Sequence, residues 1–313
     1  MREVARSNSA NGFCPACLPA EGRRKETVQI KRILPVRILR LLLFLGVTSL
    51  EAQVESLPGL EFGGLAPREV TVLVPFGGVP PTTTILVALD GQNRVAWRIE
   101  EALASLRKAQ RKTAPLVVAI PAGPDRLDEY GMAGTPDYAG RGRKAAEFQH
   151  FVIEVVLPAV RARYGVKADP ERTGIMGASL GGLSAFDLAW RHPETFGFVG
   201  VFSGSFWWRG DNTSPAARQS SRLAHRLVRE TARHPDLRLW FEAGTKDETD
   251  DRDSNGVIDA IQDTTELMDE LERRGFRRTA DMTYAEIPGG EHNEATWARA
   301  LPSFLEWALP PSR

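Results

Sequence analysis

The 313-residue sequence has few cysteines, few histidines and no excess of charge of either sign. Its two cysteines exclude a disulfide-rich scaffold and a multi-cysteine metal module. Forty basic residues balance forty acidic ones, which gives a net charge of +0. Because nucleic-acid binding needs a basic excess, no nucleic-acid partner is expected. At 42% hydrophobic, the chain has enough apolar side chains for a sizeable core, which excludes wholesale disorder.

The sequence also lacks an apolar run of the roughly 20 residues that a membrane-spanning helix needs. Residues 31–40 are basic, and residues 41–47 form a short apolar segment. This order is typical of a secretory signal peptide, and the alternative is an uncleaved amphipathic anchor. We therefore predict a leader over residues 1–52, cleaved after Ala52, and a secreted or periplasmic product that has no stable membrane span once the leader is removed.

After residue 55, short apolar segments alternate with longer segments of helical periodicity. Residues 84–89, 116–120 and 198–202 are continuous apolar runs, as expected of strands buried on both faces. Residues 145–164 repeat apolar side chains at helical spacing, and residues 215–232 are also predicted to be a helix. Such alternation predicts βαβ units in one doubly wound, mostly parallel sheet with helices on both faces. The predicted fold class is α/β, with a single domain over residues 53–313.

A candidate nucleophile lies in the sequence GASLG at residues 177–181. The G-x-S-x-G spacing places Ser179 on a tight turn between a predicted strand and a predicted helix, with its hydroxyl projecting. The N–H of Leu180 would then open the helix and bind an oxyanion, and the N–H of Gln92 or Gly91 would supply a second donor. The structural alternative is a glycine-rich turn that only packs the helix on the strand.

The scarcity of histidine narrows the choice of a general base. In this architecture the chain order is serine, acid, histidine, and the candidates are His150, His192, His225, His234 and His292. Among them, His292 alone follows a late predicted strand and precedes the last predicted helix, so we expect it to be the base. The acid should lie on the loop after residues 237–242. Asp247 is the first carboxylate there, and Glu248 is its rival.

The same acidic loop matches part of a calcium-binding pattern. Oxygen-bearing side chains occupy positions 1, 3, 5 and 9 and glycine occupies position 6, whereas position 12 is glutamine instead of glutamate. A structural calcium ion is one interpretation, and a solvated acidic turn is the other. No cofactor is required for catalysis. The candidate calcium ligands are Asp251, Asp253, Asn255 and Asp259.

These residues also resemble a known family. The chain is similar to the putative-esterase (esterase D-like) branch of the α/β-hydrolases, which includes enterochelin, feruloyl and acetyl-xylan esterases and mycolyltransferases. Within that branch it resembles the secreted enterochelin-esterase-like proteins. The resemblance implies an α/β-hydrolase fold, Ser179 as nucleophile, His292 as base and an acid in the GTKD turn. It is carried by LVALDGQ (86–92), GIMGASLGGLSAF (174–186), HPETFGFVGVFSGSFWW (192–208), FEAGTKDE (241–248) and GGEHNEATWARALPSFLEW (289–307).

Further candidates concern the substrate. Trp207 and Trp208 follow a strand end on the expected catalytic side, and Tyr130 and Arg141 belong to a glycine-rich segment near it. We interpret all four as substrate contacts, with core packing as the alternative for the tryptophans. The main hypothesis is a serine esterase acting on a small-molecule or glycan ester of siderophore or carbohydrate type. The alternatives are an acyltransferase using the same triad and a non-catalytic binding module. The sequence leaves the oligomeric state open.

Overall fold

The computed structural model describes residues 52–109, 112–231 and 237–310. The predicted leader lies outside these residues except for Ala52. Within the described part of the chain, no helix is both long and apolar enough to cross a membrane.

Within the described residues, eight strands form one sheet in the order β1-β2-β4-β3-β5-β6-β7-β8. Strand β2 pairs antiparallel with β1 and with β4, and all other neighbours are parallel, which confirms the prediction of a mostly parallel sheet. The edge strand β1 was not predicted, because most of its residues are exposed and only Leu57 is buried, so no apolar run marks it. The strands are β1 (Gln53–Leu60), β2 (Arg68–Val74), β3 (Ile85–Leu89), β4 (Leu116–Ile120), β5 (Thr173–Ala178), β6 (Phe198–Phe202), β7 (Arg238–Lys246) and β8 (Met282–Glu291).

Helices cover both faces of the sheet, and each face has its own hydrophobic cluster. Helices α1 and α9 pack on one face, and α3, α4, α5, α7 and α8 pack on the other. The described helices are α1 (Ile99–Ala109), α2 (Arg126–Glu129), α3 (Ala145–His150), α4 (Leu157–Tyr164), α5 (Leu180–Arg191), α6 (Pro215–Ser220), α7 (Leu223–Glu230), α8 (Asp259–Arg273) and α9 (Glu294–Ala308).

Two predicted helices are interrupted. Between α3 and α4 the segment Phe151–Val156 forms a π-helix, directly before the turn that contains Pro158. Proline has no N–H and clashes with the carbonyl four residues earlier, so a local change of hydrogen-bonding register accommodates it. The helix predicted from residue 215 divides into α6 and α7, where the buried Arg222 takes an extended backbone and pairs with Asp263.

The parallel strands bring distant parts of the sequence to one edge of the sheet. Strands β3, β5, β6, β7 and β8 are neighbours and point in the same direction. In an open α/β sheet the functional site lies beyond the carboxyl ends of such strands. The residues that directly follow these ends are Asp90, Ser179, Ser203, Asp247 and His292.

Candidate active site

Ser179 has a strained backbone between β5 and α5. Its φ of 54° and ψ of −125° lie in a region that costs a non-glycine residue on the order of 1–3 kcal/mol. Neighbouring groups hold this conformation. The Ser179 N–H donates to the Phe202 carbonyl at 2.9 Å, and the Ser179 carbonyl accepts from the N–H of Leu183 and of Ser205, each at 3.1 Å. The nucleophile candidate is therefore fixed to both its own helix and strand β6.

The two glycines of the G-x-S-x-G motif lie where a side chain would clash. A Cβ atom at Gly177 would lie 2.4 Å from the carbonyl oxygen of Gly181, and a Cβ atom at Gly181 would lie 2.8 Å from Asp90 Oδ2. The first glycine allows the helix to return close to the strand. The second allows the segment after β3 to approach the start of α5. The spacing of the motif thus has a direct steric cause.

His292 and Asp247 meet across the ends of β8 and β7. His292 Nδ1 lies 2.6 Å from Asp247 Oδ1. The Asp247 side chain is 0% exposed, whereas the His292 side chain is 43% exposed. The two loops can approach because Gly244 and Gly290 face one another, since a Cβ atom on Gly244 would lie 2.3 Å from the Gly290 carbonyl oxygen. A buried carboxylate and a solvent-facing imidazole are the arrangement that orients a general base.

The Ser179 hydroxyl has a different hydrogen-bond partner from the imidazole in the described part of the chain. The Ser179 hydroxyl lies 3.4 Å from the hydroxyl of Ser205, which is itself 4% exposed. Among the described residues no hydrogen bond joins Ser179 to His292. Contacts of this kind are often long in a free enzyme and tighten when substrate binds. Ser205 was not identified from the sequence, and its position after the end of β6 is the signal that points to it.

The rival acid Glu248 lies in a different environment. Burial, followed by the charges of Asp259, Asp250 and Asp263, raises the pKa of Glu248 to about 7, although the Ala260 N–H opposes the shift. Within the described part of the chain Glu248 makes no hydrogen bond to His292. Instead it lines a cavity of about 830 Å³ beyond Asp247. Of the two carboxylates left open by the sequence, the structure brings Asp247 to the imidazole.

The predicted calcium ligands are bonded to other groups. Asp251 accepts the N–H groups of Asn255 and Gly256 at 3.1 and 2.8 Å. Asp259 pairs with the Arg252 guanidinium at 3.3 Å, and Asp253 accepts from Gln262 at 2.5 Å. No group of three or more His, Cys, Asp or Glu side chains in the described residues is arranged to hold a metal ion. These carboxylates are therefore bonded to nearby backbone, amide and guanidinium donors, and the calcium interpretation stays a prediction.

Two of the four predicted substrate contacts are buried. Tyr130 is 0% exposed and Trp208 is 1% exposed. The Tyr130 hydroxyl accepts the N–H of Asp90 at 3.0 Å, and Trp208 packs against Gly131 and Gly142. Both rings are buried, because loop backbone lies against Trp208 and the Phe148 ring packs 5.0 Å from the Tyr130 ring, so neither presents a free face to a substrate here.

The other two predicted contacts remain accessible. Trp207 is partly exposed and lines the cavity that contains Glu248. The Arg141 side chain is 29% exposed and pairs with Asp137, whose side chain is 0% exposed. The Arg141 guanidinium also lies 4.8 Å from the Trp208 ring centroid and 5.5 Å from that of Trp207. Arg141 thus holds Trp207 in place, with its charge already balanced by Asp137.

The predicted oxyanion donors lie after the carboxyl ends of two neighbouring strands, β5 and β3. Leu180 is the first residue of α5, and the first N–H groups of a helix have no partner within it. Gly91 and Gln92 form a short 3₁₀ turn, Gly91–Asn93, directly after β3. The Gln92 side chain is engaged at both ends: Nε2 donates to Asp90 Oδ1 at 3.1 Å, and Oε1 accepts from the Ala122 N–H at 3.0 Å.

Glu242 is a fully buried carboxyl group that the sequence analysis missed. Its Oε2 lies 3.5 Å from the Ser203 hydroxyl, which accepts the Trp297 indole N–H at 2.9 Å. The Trp297 ring packs edge-on against the His292 imidazole, 5.4 Å between centroids. Burial, and secondly the charge of Asp247, raises the pKa of Glu242 to about 8. Glu242 is therefore neutral at pH 7 and adds no second charge beside Asp247.

The sheet order, the strained serine turn and the histidine–carboxylate pair beyond the sheet define an α/β-hydrolase. The family model described as putative esterase matches residues 67–308. The chain therefore belongs to the putative esterase family, whose defining activity is the hydrolysis of carboxylic esters.

Individual relatives have low sequence identity to this chain. A Bacillus subtilis protein named YbbA is 26% identical over 220 residues, which cover 65% of this chain and 78% of the relative. The siderophore enterobactin esterase of Emericella nidulans is 29% identical over 161 residues, or 51% of this chain and 47% of that protein. Among solved structures, the enterobactin esterase FES from Shigella flexneri has a TM-score of 0.64 at 20% identity, covering 82% of this chain and 58% of that one. This chain thus spans about half the length of the two enterobactin esterases it matches.

Stability is expected to depend on pH through Glu242. Because the pKa of Glu242 in the folded protein, about 8, exceeds its ordinary 4.5, folding retains a proton that the unfolded chain releases. Its contribution to stability therefore falls as pH rises from about 4.5 to 8, by at most about 1.4 kcal/mol per pH unit. Glu242→Gln removes this loss, so its Tm should exceed that of the wild type by a margin that grows from pH 5 to pH 8. The exposed Glu306→Gln is the control in the same calorimetric series. A constant margin for Glu242→Gln would show that Glu242 ionises normally.

Proposed function

We propose that the chain is a serine esterase that cleaves carboxylic esters through an acyl-enzyme intermediate. The observation that carries the proposal is the 2.6 Å hydrogen bond between His292 Nδ1 and the buried Asp247, beside the strained turn of Ser179. A buried carboxylate holds the imidazole in one tautomer and stabilises its protonated form. Strain of this kind is concentrated at functional sites.

In this mechanism Nδ1–H of His292 donates to Asp247, which leaves Nε2 free to take the Ser179 proton. Ser179 Oγ attacks the ester carbonyl carbon and forms a tetrahedral intermediate. His292 then protonates the leaving alcohol, and an acyl-enzyme remains. Water attacks the acyl group with His292 again acting as base, so the acid is released and Ser179 regains its proton.

The negative charge of both tetrahedral intermediates requires fixed donors. The N–H of Leu180 lies directly after the nucleophile at the start of α5, where the helix dipole also favours negative charge. The N–H of Gly91 or Gln92 is the second donor. Removal of one such donor in a serine hydrolase costs about 2.7–4 kcal/mol in the activation barrier, so this pair is a large part of the proposed catalysis.

Ser179→Ala is expected to lower kcat for a short p-nitrophenyl ester by about 10⁴-fold or more, because no nucleophile remains. The wild type should also bind a fluorophosphonate probe covalently at Ser179, as read by peptide mass spectrometry. Retained turnover in a folded Ser179→Ala protein would refute the assignment.

The acid is tested by two neighbouring variants. Asp247→Asn should lower kcat by about 10³- to 10⁴-fold, since the amide favours the wrong imidazole tautomer. Glu248→Gln should cost less than about 10-fold, because Glu248 makes no contact with the imidazole. The opposite order of the two effects would assign the role to Glu248.

The cavity beyond Asp247 bears on the substrate class. Two of its lining residues are close in sequence to the site: Trp207 is two residues after Ser205, and Glu248 directly follows Asp247. The lining of the cavity contains four arginines and five carboxylic acids. The charged side chains that line it are Arg209, Arg218, Arg222, Glu248, Asp250, Arg252, Asp253, Asp259 and Asp263.

A group rich in hydroxyls fits this lining, because each hydroxyl both donates and accepts hydrogen bonds. Arginines supply donors, carboxylates supply acceptors, and the partly exposed Trp207 offers an apolar face to a sugar ring. The five carboxylic acids outnumber the four arginines of the lining, which disfavours a ferric tricatecholate with its several negative charges. We therefore infer that the alcohol or acyl part is carbohydrate-linked, and the siderophore-type ester named for the relatives is the second candidate.

A substrate panel separates the two candidates. Feruloyl-arabinose or acetyl-xylose is expected to give a kcat/KM at least about 10-fold above that of a ferric tricatecholate trilactone, a difference of about 1.4 kcal/mol. The iron-free trilactone is the control, because it keeps the ester bonds with less charge. A preference for the ferric complex would assign the siderophore class instead.

We also propose that the enzyme is exported, which rests on the basic and apolar segments within residues 1–52. Cell fractionation and N-terminal sequencing are expected to yield an exported form that begins near Gln53. Full-length protein confined to the cytoplasm would contradict export.

A further inference from the structure

The segment that carries the proposed second oxyanion donor packs between strand β4 and helix α5. A Cβ atom at Gly91 would lie 2.4 Å from the carbonyl carbon of Ala119 in β4, and one at Gly181 would lie 2.8 Å from Asp90 Oδ2. The Gly91 backbone thus contacts β4, and the Asp90 side chain contacts the first turn of α5. A small displacement of Asp90 would move the donor relative to Ser179.

Residues outside the turn fix the conformation of Asp90. It has a φ of 54° and a ψ of 42°, the left-handed region that is unfavourable for residues other than glycine. Its carboxylate is clamped by Arg126, with Nε 2.7 Å from Oδ1 and Nη2 2.8 Å from Oδ2. Its N–H donates to the Tyr130 hydroxyl at 3.0 Å. Two residues of the segment after β4 therefore determine where Asp90 lies.

Arg126 is itself anchored. It begins α2, whose last residue, Glu129, is 1% exposed and pairs with Arg68 through two hydrogen bonds of 2.9 Å. The Arg126 guanidinium lies 5.0 Å from the centroid of the buried Tyr130 ring. The clamp on Asp90 is thus attached to the sheet by a second, buried ion pair.

The Gln92 side chain connects the Arg126–Asp90 pair to the turn that bears the Gly91 and Gln92 N–H groups. Gln92 Nε2 donates to the same Asp90 oxygen, Oδ1, that accepts from Arg126, at 3.1 Å. Gln92 Oε1 accepts from the Ala122 N–H at 3.0 Å. The Arg126–Asp90 pair and the Gln92 side chain therefore form one connected network around the turn that bears the backbone donors.

We propose that Arg126 is a positioning residue for oxyanion binding, and that its bidentate pair with Asp90 holds the Gly91 and Gln92 N–H groups toward the carbonyl attacked by Ser179. The inference rests on the proposed serine esterase function. Arg126 does not touch the substrate in this role. Because the donors act only when correctly placed, loss of the clamp weakens binding of the tetrahedral state more than binding of the ground state.

The test compares Arg126→Met with Arg143→Met. Arg143 lies on the same side of the fold and pairs with Asp128 at 2.8 Å, but its side chain is 68% exposed and contacts no oxyanion donor. Arg126→Met is expected to lower kcat by about 10- to 100-fold with KM changed by less than about 3-fold. Its affinity for phenylboronic acid, which forms a tetrahedral adduct with the serine, should fall by the same factor. Arg143→Met should match the wild type.

A second variant covers the case in which Arg126→Met folds poorly. Arg126→Ala leaves room for a guanidinium ion at a side chain that is 33% exposed. Added guanidinium chloride is expected to restore part of kcat and of boronate affinity in Arg126→Ala and to leave Arg143→Met unchanged.

The outcomes distinguish this inference from the proposed function. If Ser179→Ala is inactive while Arg126→Met keeps kcat and boronate affinity within 2-fold of the wild type, the positioning role is wrong and the esterase assignment stands. If Tm and kcat both fall, KM changes as well and guanidinium does not rescue the variant, the effect is purely structural. That result would also overturn the positioning role. If the fluorophosphonate probe fails to label wild-type Ser179, both proposals fall.

Discussion

The strained turn at Ser179 is the constraint on which the rest of this site depends. A non-glycine residue with a positive φ returns to a relaxed conformation unless its surroundings prevent it. Here the surroundings are strand β6, which bonds the Ser179 backbone on both sides, and helix α5, which begins at the next residue. The glycines at 177 and 181 permit that close packing. The exposed hydroxyl and the helix-start donor at Leu180 both follow from the same turn.

Three buried carboxyl groups at the same edge of the sheet are stabilised in three ways. Asp247 bonds the imidazole of His292, and Asp90 is paired with the guanidinium of Arg126. Glu242 forms no ion pair within the described residues, and burial raises its pKa to about 8, which favours the protonated form. Burial of an unpaired charge is costly, so each group needs a partner or neutrality. The result is one negative charge directed at the base and one that fixes the loop after β3.

Much of this arrangement was predictable from short stretches of sequence. The apolar runs of β4 and β6 matched the observed strands to the residue, because strands buried on both faces admit almost no polar side chain. Ser179 was found through glycine spacing, which reflects local steric contacts. The interruptions near Pro158 and Arg222 shifted helix boundaries, since backbone hydrogen bonding and a buried ion pair outweighed helical periodicity. The edge strand β1 had no such signal, because most of its side chains face solvent.

The sequence by itself determined the α/β class, the serine turn and the order in which serine, acid and histidine follow one another, since these depend on local spacing and on the alternation of strands and helices. Only the tertiary structure showed that Asp247, and not Glu248, contacts His292, because adjacent residues on a loop point in directions that chain contacts set. It likewise buried Tyr130 and Trp208, paired Asp263 with Arg222, and joined Asp90 to Arg126 across 36 residues of sequence. Such pairs depend on distances between distant segments, and local sequence patterns carry no information about those distances.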